Sequence, residues 1–208
     1  MYLCWSLLSC GLGKRALSAL NLGHRVEEFS VENEPIYGYL AGSDERKKLE
    51  AALNKWRDQT TDIPIIIGGE EFRTEDIRTH TAPFDHSKTV ARFYWADEKL
   101  IRDAIDSSLK IRRDWESFPL GEKIKIFLKA ADLIANKYRY DLNAVTMLGQ
   151  GKTVFQAEID AAAELADFLR FNAYFCKELV KYQPISPDAT ITLNQYRQRG
   201  IEMGSSKA

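Results

Sequence analysis

Near Asp97 the spacing of hydrophobic residues along the chain changes character. Upstream, short apolar runs are separated by polar and glycine-containing breaks. Downstream, apolar residues recur every three to four positions as far as Tyr182. The segment ENEPIYGYLAGS reads as a loop punctuated by Pro35, Gly38 and Gly42. SDERKKLEAALNKWRDQ predicts a surface helix with Ser43 as N-cap and Leu49, Ala52, Leu53 and Trp56 on one face. IPIIIGGEEFR predicts a strand, a tight Gly68-Gly69 turn and a return strand. In HTAPFDHSKTVARFYWAD, Pro83 predicts a break followed by a second strand pair, with Val90, Phe93 and Trp95 as burial candidates.

The helical half begins with Asp97, which caps EKLIRDAIDSSLKIRRDWESF; there Leu100, Ile101, Ala104, Ile105 and Leu109 recur at helical spacing. Pro119 suits the first turn of the next helix, LGEKIKIFLKAADLIANK. RYDLNAVTML predicts a shorter helix stopping at Gly149. A long helix then starts at the cap Thr153 and ends before Pro184. Beyond it TITLNQYRQ alternates like a strand, and a lone strand needs a partner for its backbone groups.

The stretch TMLGQGKT ends like a phosphate-binding loop. That loop needs a glycine five residues before Gly151, where this chain has Thr146, and it must follow a strand rather than a helical pattern. The glycines fit a helix–helix corner instead: Gly149 and Gly151 end one helix and Thr153 starts the next.

Composition narrows the field only a little. The chain has 208 residues, 45% of them hydrophobic and 28% charged, with 29 Lys and Arg against 30 Asp and Glu. A net charge of −1 gives no sign of a nucleic-acid partner. The cysteines at 4, 10 and 176 form no disulfide framework, and with the three histidines they lack metal-ligand spacing. No stretch has the ~20 apolar residues needed to span a bilayer. The first 26 residues contain no acidic residue and carry Lys14, Arg15 and Arg25 among serines and leucines, which fits a mitochondrial transit peptide. A secretory signal is the alternative, although its positive charge would normally precede the apolar run CWSLLSCGLG rather than follow it.

Chemistry-bearing residues are few. Cys176, among aromatics on the long helix with no histidine near in sequence, reads as an inert helix cysteine. His80 and His86 flank Pro83 with Asp85 and read as surface loop, lacking HxxxH-type spacing. Glu158, Asp160, Glu164 and Asp167 lie on the long helix. The pattern favours a solvated face for Glu164, because an unpaired glutamate is seldom buried; the three alanines before it leave open a pocket-facing role.

Longer motifs carry a resemblance. PFDHSKTVARFYWAD, FLKAADLIANKYR, LGQGKTVFQAEIDAAAELADFLRFNA and QPIS together resemble the aldehyde dehydrogenase superfamily. The similarity is greatest to its branch of mitochondrial 1-pyrroline-5-carboxylate (L-glutamate gamma-semialdehyde) dehydrogenases, to which GQGKT followed by QAEIDAAAE is specific. It spans roughly Glu34 to Arg197. The resemblance implies an α/β aldehyde dehydrogenase fold, of which this chain is a helix-rich N-terminal segment with β-hairpins. The divisions are a transit peptide at 1–26, the helical and hairpin part at 27–189, and the first strand of the oligomerisation flap with a divergent tail at 190–208. It further implies NAD-dependent oxidation of glutamate semialdehyde to glutamate in proline degradation, a small-molecule aldehyde as partner, homo-oligomers, and a place in the mitochondrial matrix. The helix from Thr153 would line the aldehyde entrance, with Glu164 facing it.

After Tyr196-Arg197 the family continues to an Asn oxyanion donor, a Rossmann domain, a Glu base and a Cys nucleophile, whereas this chain reads QRGIEMGSSKA. No catalytic, NAD-binding or metal-binding residue can therefore be carried over. The expectation is a truncated or alternatively spliced product, or an incomplete gene model, inactive as given and without NAD. Its alternatives are a non-catalytic fragment that pairs with full-length subunits, and a helical adaptor.

Overall fold

The computed structural model describes residues 27–181. The transit-peptide reading and the TITLNQYRQ strand lie outside them. Residues 27–43 form an irregular strap, followed by α1 (Asp44–Arg57), whose start is fixed by Ser43 Oγ accepting the Arg46 N–H at 3.3 Å. Two small sheets come next. In one, β1 (Thr61–Ile63) runs parallel to β5 (Asp85–Tyr94), and β5 pairs antiparallel with β4 (Ile77–Ala82). The other is the hairpin of β2 (Ile65–Ile67) and β3 (Glu70–Phe72), turned by Gly68 and Gly69, both at positive φ.

The helical half consists of α2 (Glu98–Ser117), α3 (Leu120–Asp132), a π-helical turn Leu133–Lys137, α4 (Arg139–Gln150), α5 (Val154–Ala157), a second π-helical turn Glu158–Ala163, and α6 (Glu164–Lys181). The last three form one continuous rod. Asp97 accepts the Leu100 N–H at 2.8 Å to start α2. Thr153 starts α5 through a capping box with Gln156.

Two apolar cores result. Tyr39, Leu49, Ala52 and Ala144 pack α1 and the strap against α4, with Leu53, Trp56 and Met147 around them. Ala131, Ala135 and Ala166 let α3 and α6 approach closely. Trp56 also donates its indole N–H to Asp141 at 2.5 Å, tying α1 to α4.

Several expectations need correction. Pro83 does not precede a strand pair; it lies between β4 and β5, in the turn that joins them. Strand β1 was missed, because three residues in a parallel pairing leave no local pattern. Trp95 is exposed rather than buried: it follows the end of β5, and its ring is covered by the Arg78 guanidinium 5.4 Å from its centroid. Pro119 sits one position outside α3, at its N-cap. Gly149 lies within α4, and Gly151 alone is the left-handed cap, at φ 68°. The α2 stripe is not buried, with Ile101 and Leu109 exposed.

Candidate functional site

The most heavily buried polar residues of the described chain meet behind the strap. Ala131, Ala135, Arg139 and Asn143 follow one another at intervals of four, so the apolar face begun on α3 continues into a charged and an amide side chain. Opposite them the π-helical turn of the rod begins with Glu158. Arg139 and Glu158 are 1% and 0% exposed. The Glu158 carboxylate accepts from Arg139 Nε at 3.1 Å and from Arg139 Nη2, from the Tyr39 hydroxyl at 2.6 Å, from Asn143 Nδ2 at 2.7 Å, and from the Tyr37 amide at 2.9 Å. Arg139 also donates to Glu34 at 2.6 Å and to the Pro35 and Ala135 carbonyls, and its guanidinium lies 4.0 Å from the centroid of the Tyr37 ring.

Burial alone would raise the Glu158 pKa, but the bonds from Arg139, Tyr39, the Tyr37 amide and Asn143 prevail and hold it below the ordinary carboxylate value. Burial and the same carboxylate push the Tyr39 hydroxyl well above the usual tyrosine range. Glu158 is thus an ionised carboxylate saturated with donors. That makes it a structural anchor and unsuits it as a base. The sequence places Glu158 on the long helix without assigning it a partner: its partners come from 15, 19 and about 120 positions away, so helical pattern alone could not reveal them.

On the other side of the strap lies an open groove of about 540 Å³. The strap supplies Asn33, Glu34 and Ile36. The rod supplies Ile159, Ala163, Glu164, Asp167, and the aromatic steps Phe168, Phe171 and Phe175. Its three carboxylates differ in their bonding. Glu34 is shared between Arg139 and Arg170. Asp167 accepts the Glu34 amide at 2.7 Å and Asn33 Nδ2 at 2.8 Å. Glu164 is exposed on the groove and makes no hydrogen bond or ion pair among the described residues. The alternative of a pocket-facing glutamate thus has a groove to face.

The other candidates do not assemble there. Cys176 is a free, exposed thiol. His80 donates from Nε2 to the Gly149 carbonyl at 2.8 Å, bracing the corner that follows α4, and His86 is exposed on β5. No group of metal-ligating residues occurs among the described residues. The corner itself does not suit a phosphate: the Thr153 amide donates to Gln156 Oε1 at 3.0 Å and the Gln156 amide to Thr153 Oγ1 at 3.3 Å, so donors an anion would use are occupied.

Comparison with known proteins places this architecture. The model of the aldehyde dehydrogenase family matches residues 72–201. The chain belongs to the aldehyde dehydrogenase family. The mitochondrial delta-1-pyrroline-5-carboxylate dehydrogenase of Rattus norvegicus is 49% identical over 173 residues, which are 83% of this chain and 30% of that protein. Its counterpart in Bos taurus is 43% identical over 206 residues, 96% of this chain and 34% of that protein. Among solved structures, the delta-pyrroline-5-carboxylate dehydrogenase of Mycobacterium tuberculosis superposes with a TM-score of 0.75 at 35% identity, covering 79% of this chain and 31% of that one. That protein has also been solved bound with NAD. The chain therefore spans about a third of the length of these aldehyde dehydrogenase relatives. Among the described residues no helix is long and apolar enough to cross a membrane.

Proposed function

We propose that these residues form the N-terminal part of an NAD-dependent dehydrogenase that oxidises L-glutamate gamma-semialdehyde to glutamate in the mitochondrial matrix, as a homo-oligomer. In this reading the groove is one wall of the aldehyde's path. The observation that carries it is the groove itself: an aromatic floor suited to a short alkyl chain, with one unpaired carboxylate, Glu164, suited to the ammonium of an amino-acid aldehyde. NAD supplies the hydride acceptor in such chemistry, and the rod and strap contribute binding and orientation only. Among the described residues the one cysteine, Cys176, is exposed and does not line the groove, so the residues of the aldehyde's path bind and orient it.

The test is NADH formation by the product of the intact transcript that carries these residues. Glutamate semialdehyde is set against a straight-chain aldehyde of similar length without the amino-acid end. Preference for the semialdehyde, reduced by Glu164→Gln through KM, supports the reading. Equal turnover of the two substrates overturns it.

The non-catalytic alternative has its own supporting observation. Phe155, Phe168, Phe175 and Leu179 are exposed along one rod, which suits docking against further protein. Co-purification of the 208-residue chain with a full-length subunit would favour that role.

A further inference from the structure

We infer that Asp167 is a positioning residue that fixes the width of the groove by clamping the strap to the rod, and that it meets no ligand itself. The inference rests on the reading of the groove as the aldehyde's path. Its basis is the division of labour among the three carboxylates. Asp167 uses both of its oxygens on the strap, Oδ1 on the Glu34 amide and Oδ2 on Asn33 Nδ2. Just behind it, the Glu34 side chain, 9% exposed, is gripped by Arg139 Nη1 at 2.6 Å and Arg170 Nη1 at 2.5 Å. The strap is thus held from two sides at one residue, by its amide and by its carboxylate. Among the described carboxylates of the groove only Glu164, one turn before Asp167, is left for a ligand. The π-helical turn Glu158–Ala163 sets this arrangement by carrying the rod from the buried anchor Glu158 to the groove-facing Glu164.

Asp167 also stands 3.9 Å from Arg170 Nη1, a long ion pair beside the two short hydrogen bonds, so we take the hydrogen bonds rather than the charge to hold the strap. An asparagine keeps an acceptor for the Glu34 amide, and its own amide can donate to Asn33 once the Asn33 side chain turns over. Alanine keeps neither bond, and the Glu34 amide loses its acceptor. A residue that met the substrate ammonium would behave in the opposite way, tolerating the loss of charge no better than the loss of the side chain.

The experiment compares Asp167→Ala, Asp167→Asn and Glu164→Gln in the intact enzyme, reading kcat and KM for aldehyde and for NAD, together with amide exchange at Glu34. Asp167→Ala removes both bonds to the strap and is expected to raise the aldehyde KM at least about tenfold, with kcat and the NAD KM unchanged. It is also expected to speed exchange at the Glu34 amide, and Asp167→Asn to restore both. Asn failing like Ala would show that the charge of Asp167, toward Arg170 or a ligand, matters rather than its hydrogen bonds, and unchanged Glu34 exchange in Asp167→Ala would show that there is no clamp; either overturns the inference. Glu164→Gln without effect on the aldehyde KM overturns the underlying reading of the groove, while exchange at Glu34 still decides the clamp.

Discussion

Arg139 and Glu158 face each other in a pocket where both are almost wholly shut off from water, and the donors around Glu158 come from the strap and from α4. Such a pair adds little net stability over an apolar isostere, yet losing one member leaves an uncompensated charge. Glu158→Leu and Arg139→Met are each expected to cost ~3–5 kcal/mol. The double variant Arg139→Met/Glu158→Leu should cost much less than their sum. A denaturant-midpoint cycle measures the coupling; additive losses would show that the two do not act as a pair.

The same anchor makes stability depend on pH at both ends. Glu158 has a folded pKa below its ordinary value of 4.5, so its contribution is full above that value and is lost as pH falls below it, through the lower folded value. Tyr39 has a folded pKa above its ordinary value of 10.0; its contribution is full below that value and is lost as pH rises through the higher one. Glu158→Gln should flatten the acid limb and Tyr39→Phe the alkaline limb of the stability profile. Limbs unchanged in these variants would place the titration elsewhere.

How much of this was legible beforehand depended on distance along the chain. The caps Ser43, Asp97 and Thr153 each bond a backbone group three residues on, so a short sequence window contains the whole interaction. The corner at Gly149 to Thr153 was readable for the same reason, though the two glycines differ in role. Glu164 could be placed on the groove only through its resemblance to a family, since three preceding alanines are compatible with any close packing. The anchor was hidden because Arg139, Asn143 and Glu158 are matched by strap residues more than 100 positions away. A trace did exist: Arg139 and Asn143 continue the four-residue spacing of Ala131 and Ala135, and a charge on an apolar face implies a partner.

The two glycines of the corner should respond oppositely to alanine. Gly149 is inside α4, and an added Cβ would meet His80 Nε2 at an ordinary 3.6 Å. Gly149→Ala should therefore be neutral or stabilise by up to about 1 kcal/mol, through helix propensity. Gly151 has φ 68°, and its added Cβ would lie 3.1 Å from Pro83 Cγ. Gly151→Ala should destabilise by ~1–2 kcal/mol from the left-handed backbone alone. Equal effects in thermal melts would contradict the assignment of Gly151 as the sole cap.

Helix α2 provides the last test, because its amphipathic pattern and its surroundings disagree. Leu100, Ala104 and Ile105 are partly covered, but Ile101, Leu109 and Ile111 are 40%, 48% and 58% exposed, and no residue of the helix is buried. An apolar stripe of this kind ordinarily faces a core. Substitutions at exposed positions usually change stability by no more than about 0.5 kcal/mol, whereas truncating a buried leucine costs ~2–5 kcal/mol. Ile101→Gln, Leu109→Gln and Ile111→Gln should thus leave the urea midpoint of the 208-residue chain nearly unchanged, while Leu49→Ala, at 4% exposure, should lower it sharply. The same three glutamines should reduce the binding of an environment-sensitive apolar dye, because they remove surface already in contact with water. A midpoint that falls with them as steeply as with Leu49→Ala would mean that α2 packs against the chain's own core.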